Sequence, residues 1–202
     1  MKFPKGKNYR FQCQQSGHCC CDPNIIVTLT FMDVFDLYLA MDQDFESLLR
    51  KLTFYTFEEK INENQRKKLV LPAISTSDGD VIPGIMKTNG VNCVFYLKPN
   101  CSIYNNRPLA CKNYPYTFLD HENERNFSWA KNAEKTCPGI SEGKLIDYSY
   151  VEKNGKITSD NLNMHTSLTQ ELNTEAANGK PLTVREIVWI FIVYGEKIRY
   201  QK

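Results

Sequence analysis

The chain has 202 residues, 42% of them hydrophobic and 12% aromatic, and a net charge of +2. That length and apolar content suit one core-forming domain, or one domain with a helical extension. Interspersed acids and bases exclude a dedicated nucleic-acid or anionic-membrane surface, and the longest apolar run, Ile187 to Tyr194, is too short to span a bilayer.

Met1 to Arg10 is basic and polar, without the apolar stretch of a secretory leader. The expected compartment is therefore the cytoplasm, where thiols stay reduced. "YRFQC" alternates like a short strand that delivers Cys13, and Ser16-Gly17 breaks the chain into a loop carrying Cys19, Cys20 and Cys21. "NIIVTLT" reads as a strand. Thr30 and Asp33 begin a capped helix through "MDVFDLYLAM", with Val34, Leu37, Tyr38 and Met41 on one face. Asp44 caps a second helix, "FESLLRKL". Arg66-Lys67-Lys68, the longest basic cluster, reads as a solvated loop or strand edge. Strands follow around an Asp78-Gly79-Asp80 turn, with Pro72 and Pro83 expected to confine them to edges or ends.

"VNCVFYL" reads as a strand bearing Cys93, "CSIYNNRP" as a tight turn, and Pro108 as the start of a short helix presenting Cys111. Leu119 to Cys137 is mostly polar, with Phe127 and Trp129 as its large anchors. "KLIDYSYVEKNGKIT" fits either a hairpin through Asn154-Gly155 or a loop feeding a helix. Asp160 to Asn178 is amphipathic, with Leu162, Leu168 and Leu172. Thr183 and Glu186 form a capping box before "IVWIFIVYGEKIRY", whose eight successive apolar residues predict a helix enclosed on most sides.

The eight cysteines carry the chemistry. They run Cys13-x5-Cys19-Cys20-Cys21, then Cys93-x7-Cys101-x9-Cys111, then Cys137. Thiolates are strong ligands for zinc and iron–sulfur clusters, and turn-rich flanks let the backbone wrap an ion. Buried inert thiols explain three adjacent cysteines poorly. Four disulfides are the rival reading, but disulfide-dense folds are usually smaller and secreted. The spacing matches neither the bacterial ferredoxin run nor the knuckles of zinc ribbons.

The cysteines and their neighbours resemble a known family. Cys13-x2-Ser16-Gly17-x-Cys19-Cys20 is similar to the signature of the zinc- or iron-chelating, YkgJ-type CxxCxxCC proteins. "VNCVFYLKPNCSIYNNRPLACKNYP" is similar to that family's downstream cysteine block, and Cys137-Pro138-Gly139 to its closing CPG. "VTLTFMDVFDL" also fits. The resemblance covers residues 11 to about 140. It implies a compact α+β cysteine-cluster domain of short strands, loops and helices, here residues 1–145, with C-terminal helices in 146–202. It further implies metal binding by Cys13, Cys19, Cys20, Cys21, Cys93, Cys101, Cys111 and Cys137. The family is distantly similar to the cluster domain of flagellin lysine N-methylases, but no glycine-rich nucleotide or phosphate loop occurs here.

Ser16 stands where the signature has its second cysteine, and Cys21 is an addition. Either seven thiolates serve the site, or Cys21 replaces the missing one. An extended triplet would point Cys20 away from Cys19 and Cys21. Phe95, Tyr96, Tyr104, Tyr114 and Tyr116 form either a shielding shell, which favours a [4Fe-4S] cluster over zinc or iron ions, or ordinary core. His18 is a candidate ligand or outer-shell donor, and Arg107 a candidate hydrogen-bond donor to cluster sulfurs or a bound anion. Lys112 and Lys131 are less specific versions of the same idea, while His121 and His165 lie in polar stretches and suggest nothing. Three functions compete: a redox or protein-modifying (methyltransferase-like) protein with a protein substrate or partner, a non-catalytic zinc or iron chelator, and a structural metal module. No Ser-His-Asp set and no H-E-x-x-H motif is present.

Overall fold

The computed structural model describes residues 9–56, 71–121, 124–130 and 132–201. The Arg66-Lys67-Lys68 cluster and Lys131 lie outside the described residues. Helix α1 (Phe31–Ala40) starts where expected. Its N-cap Thr30 accepts from Asp33 N–H, and the Asp33 carboxylate returns to Thr30 N–H, closing a capping box. The buried face of α1 carries Phe31, Val34, Phe35 and Leu37. A short helix, α2 (Phe45–Leu49), is capped by Asp44.

A three-stranded antiparallel sheet follows, built from β2 (Leu52–Thr56), β3 (Ile74–Thr76) and β4 (Gly79–Ile85) in the order β2-β4-β3. The helical reading of "FESLLRKL" runs too far, because Leu52 opens β2. Leu52–Thr56 alternates weakly but is rich in aromatic and β-branched residues, which suit a pleated surface. Pro83 lies inside the central strand, against the expectation of an edge or an end. Strand β3 has already stopped at the Ile74–Val81 pair, so Pro83 meets the 27–29 segment instead, its carbonyl accepting from Leu29 N–H at 2.9 Å. The "NIIVTLT" segment is only partly a strand, bridging β4 at Thr28–Gly84.

Two small hairpins come next. The first pairs β5 (Lys87–Thr88) with β6 (Asn92–Cys93), and the second pairs β7 (Tyr96–Leu97) with β8 (Asn100–Cys101). A 3-10 turn (Tyr104–Asn106) leads to α3 (Leu109–Asn113). The polar stretch after it forms a hairpin of β9 (Tyr116–His121) and β10 (Glu124–Trp129). Trp129 stacks on Tyr116, with ring centroids 5.2 Å apart, and touches Tyr9. Helix α4 (Ala133–Thr136) precedes β11 (Ile140–Leu145), which pairs with β1 (Arg10–Phe11) across a bulge.

The C-terminal part is two helices, α5 (Tyr148–Ala177) and α6 (Val184–Tyr200). Helix α5 begins at the Asp147 cap and passes straight through Asn154-Gly155, so no hairpin forms there, and the short Ile146-Asp147 loop feeds the helix, the second of the two expected arrangements. Its Asn173 amide clasps the start of β3, accepting from Ser75 N–H (2.8 Å) and donating to Ala73 C=O (2.9 Å). Helix α6 has the expected Thr183–Glu186 capping box and packs along α1. Gly195 permits that approach, since a Cβ there would stand 2.5 Å from Phe35 Cβ. Enclosure is one-sided, however. Ile187, Val188, Phe191 and Ile192 are buried, whereas Trp189 and Val193 are about half exposed (50% and 48%). One buried cluster joins α1, the β2-β4-β3 sheet, Phe95, Ile103, α5 and α6.

Candidate metal centre

All eight cysteines are free thiols. Seven of them, Cys13, Cys19, Cys20, Cys93, Cys101, Cys111 and Cys137, line one cavity of about 220 Å³. Each arrives by a different local device. Cys13 follows β1, where Gln12 N–H donates to Gly139 C=O (3.0 Å) and so brings the Cys13 and Cys137 segments together. Gly139 makes this approach feasible, because a Cβ there would lie 2.2 Å from the Gln12 oxygen. Cys137 itself closes α4, its N–H bonded to Ala133 C=O.

The triplet is not extended. Gly17 takes φ +76, and the Cys20 and Cys21 N–H groups both donate to its carbonyl at 2.9 Å. In that turn Cys19 and Cys20 face the cavity while Cys21 is not among its lining residues. The Tyr96 ring covers Gly17 so closely that a Cβ would fall 2.1 Å from its hydroxyl oxygen. Two further bonds clamp this loop to the first small hairpin: Cys93 N–H to Cys20 C=O (2.7 Å), and the Lys87 ammonium to Asp22 C=O. Cys101 ends the second hairpin, and Cys111 sits at the centre of α3.

Electrostatics explain why these thiols resist ionising together. Burial is the main cause that pushes Cys93, Cys101, Cys111 and Cys137 up, with neighbouring cysteines adding to it. The Cys19 and Cys20 sulfurs lie 3.9 Å apart. The hydrogen bond between them raises Cys20 and brings Cys19 down to about 7, the Arg107 guanidinium assisting. A cation that binds thiolates removes this conflict by supplying positive charge where the sulfurs converge.

Arg107 and His18 both line the cavity. The Arg107 guanidinium is stacked 3.8 Å over the Tyr104 ring, and its Nε–H donates to Tyr104 C=O at 2.9 Å. Exposed His18 places Nδ1 3.1 Å from Ser16 Oγ, the residue standing in for the missing cysteine. Of the expected aromatic shell, Tyr96, Tyr104 and Tyr114 line the cavity, while Phe95 belongs to the core and Tyr116 packs on Phe11 and Trp129. Lys112 is exposed and does not line it.

Ile25, Ile26, Val27, Ile85 and Ile103 complete an apolar wall. Sequence reasoning missed that wall, and also Lys87 and Asp33 as supports. Lys87 precedes Cys93 by six positions with no motif to mark it. Asp33 was visible only as a helix cap, yet burial pushes its carboxyl up and the cost is offset by bonds from Leu109 and Thr30.

The donor set fits zinc, iron or a thiolate-ligated cluster: soft sulfurs in excess of four, one guanidinium and a largely apolar enclosure. Among the described residues no three Cys, His, Asp or Glu side chains already stand together as an ion's ligands.

Among the described residues no helix is long and apolar enough to cross a membrane. No curated protein and no solved structure matches the chain. Residues 12–138 match the family described as "CxxCxxCC: Putative zinc- or iron-chelating domain". That match spans the cysteine cavity from Cys13 to Cys137, and the chain belongs to the CxxCxxCC family.

Proposed function

We propose that the cavity holds an iron–sulfur cluster, of the [4Fe-4S] type, on four of its seven thiols, and that the protein serves redox or protein-modifying chemistry. The carrying observation is the convergence of seven thiols on one cavity of about 220 Å³. A tetrahedral zinc and a [4Fe-4S] cluster each take four thiolates, and the aromatic and apolar lining of the cavity favours the cluster. Such a cluster supplies electron transfer when bound. Arg107 offsets its negative charge and donates hydrogen bonds, and Tyr96, Tyr104 and Tyr114 limit access of water. His18, at the rim, is the outer donor.

The alternative is a non-catalytic zinc or iron chelator. The family description is compatible with it, and Cys19 offers an exposed thiol brought down to about 7 by its hydrogen bond with Cys20. Both readings place the chain in the cytoplasm, where eight free thiols persist. In both, residues 1–145 hold the centre and 146–202 buttress it.

An ultraviolet–visible spectrum of anaerobically purified protein, with iron, zinc and acid-labile sulfide measured on the same sample, tests the proposal. A broad band near about 400 nm with iron and sulfide in equal amounts supports the cluster. Colourless protein carrying zinc would replace it with the chelator, and metal-free protein would remove both.

A further inference from the structure

Helix α3 carries Cys111 but cannot hold itself in place. It has five residues, far fewer than an isolated helix needs, and its N-cap is Pro108, which has no side-chain acceptor. The Leu109 N–H, two residues before Cys111, would be an orphan donor. It is bonded instead to Asp33 Oδ1, 76 positions away in the chain, at 2.7 Å. The other carboxylate oxygen of Asp33 accepts from Thr30 N–H (2.9 Å) and from the Thr30 hydroxyl (2.8 Å). Asp33 is buried, and α1, from which it projects, is the helix packed along α6. A rigid element of the core thus caps a small element of the site.

We infer that Asp33 is a positioning residue for the thiol centre, its carboxylate joining the N-termini of α1 and α3 so that Cys111 faces the cavity. This rests on the reading of the cavity as a metal centre. Its test is readable whether or not metal is present.

The test is the rate at which iodoacetamide alkylates each cysteine in the purified native protein, located by peptide mass spectrometry. Asp33→Ala removes the α3 cap and the carboxylate's return bonds to Thr30, while Thr30 Oγ can still accept from the residue-33 N–H. The substitution should accelerate modification of Cys111 by about tenfold or more, the scale of one charge-assisted hydrogen bond, and change Cys13 and Cys137 by less than about threefold. Leu109→Pro deletes the donor together with the half-buried leucine side chain, so Leu109→Ala, which keeps the N–H, is its control and should stay near wild type. Proline suits a first helical position, and Pro108 already has the extended ψ of 155 that a following proline requires, so this variant should reproduce the effect with the α1 cap intact. Thr30→Ala weakens the α1 cap and spares the Leu109 bond, so Cys111 should stay within about threefold of wild type. Asp33→Asn, whose amide oxygen can still accept from Leu109, should fall between wild type and Asp33→Ala. Equal acceleration by Thr30→Ala and Asp33→Ala, or no acceleration by Leu109→Pro, would overturn the inference. A failure of Asp33→Ala to fold leaves Leu109→Pro as the deciding variant. Absence of metal from wild-type protein would remove the metal reading and leave the alkylation comparison standing.

Discussion

At the scale of single residues, the cavity depends on positions with no thiol. Gly139 lets the Cys137 turn lie against the Gln12 backbone, and the contact is with a carbonyl oxygen that cannot rotate away. Gly139→Ala should therefore destabilise the fold by about 1–3 kcal/mol, the usual cost of forced overpacking, and lower the metal content with it. Chemical denaturation beside metal analysis checks this, and unchanged values for both would show that the Cys13 and Cys137 segments are not held by this contact. Gly17 has a parallel role under Tyr96. The cysteine spacing marked these residues as one group, and the structure brings seven of the eight to one cavity. The spacing left open whether Cys21 joins the site, because its direction depends on the left-handed Gly17 and the turn it starts.

At the scale of elements, the capped helices were readable because Thr30–Asp33 and Thr183–Glu186 are local signals. Elements fixed by distant partners were not. The β9–β10 hairpin is polar in sequence and is held by cross-strand pairing and by the Tyr116–Trp129 stack. Leu52–Thr56 became a strand because β4 lies beside it. His165 is the sharpest case. Its polar sequence surroundings hide full burial between α1 and α6, where Nδ1 accepts from Phe31 N–H (3.2 Å) and the ring meets Phe191 edge-on at 5.3 Å. Its Nε2, like the Thr169 hydroxyl one turn along, is buried without a hydrogen-bond partner among the described residues.

Desolvation brings the His165 imidazole down to about 4 from 6.5. The folded state thus refuses a proton that the unfolded chain accepts. This contribution to stability is complete above pH 6.5 and is lost as pH falls from there toward 4. Between pH 7 and pH 5, wild-type protein should lose about 2 kcal/mol more stability than His165→Asn, whose amide oxygen can still serve Phe31. Urea denaturation at the two pH values measures the difference. Equal losses in both proteins would mean that His165 is protonated in the folded state.

At the scale of the whole molecule, the helical core and the thiol cavity are one construction. The same core cluster takes in Phe95 and Ile103 from the cysteine-bearing hairpins and Leu168 and Phe191 from α5 and α6. The family match ends at residue 138, so α5 and α6 lie beyond it, yet His165 meets the first N–H of α1 and Asp33 in the same turn meets α3. The path from scaffold to thiol is short. The overall α+β class followed from the family's cysteine block, while the exposed Trp189 and Val193 on α6 contradicted the enclosure on most sides expected from its apolar run.

The most direct measurement is native mass spectrometry of anaerobically purified protein, followed by alkylation of the intact complex and again after a chelator. A metal centre on the cavity thiols gives a mass above that of the bare chain, rapid modification of Cys21, and protection of ligating cysteines that the chelator abolishes. A bare-chain mass with all eight cysteines modified at similar rates would contradict it.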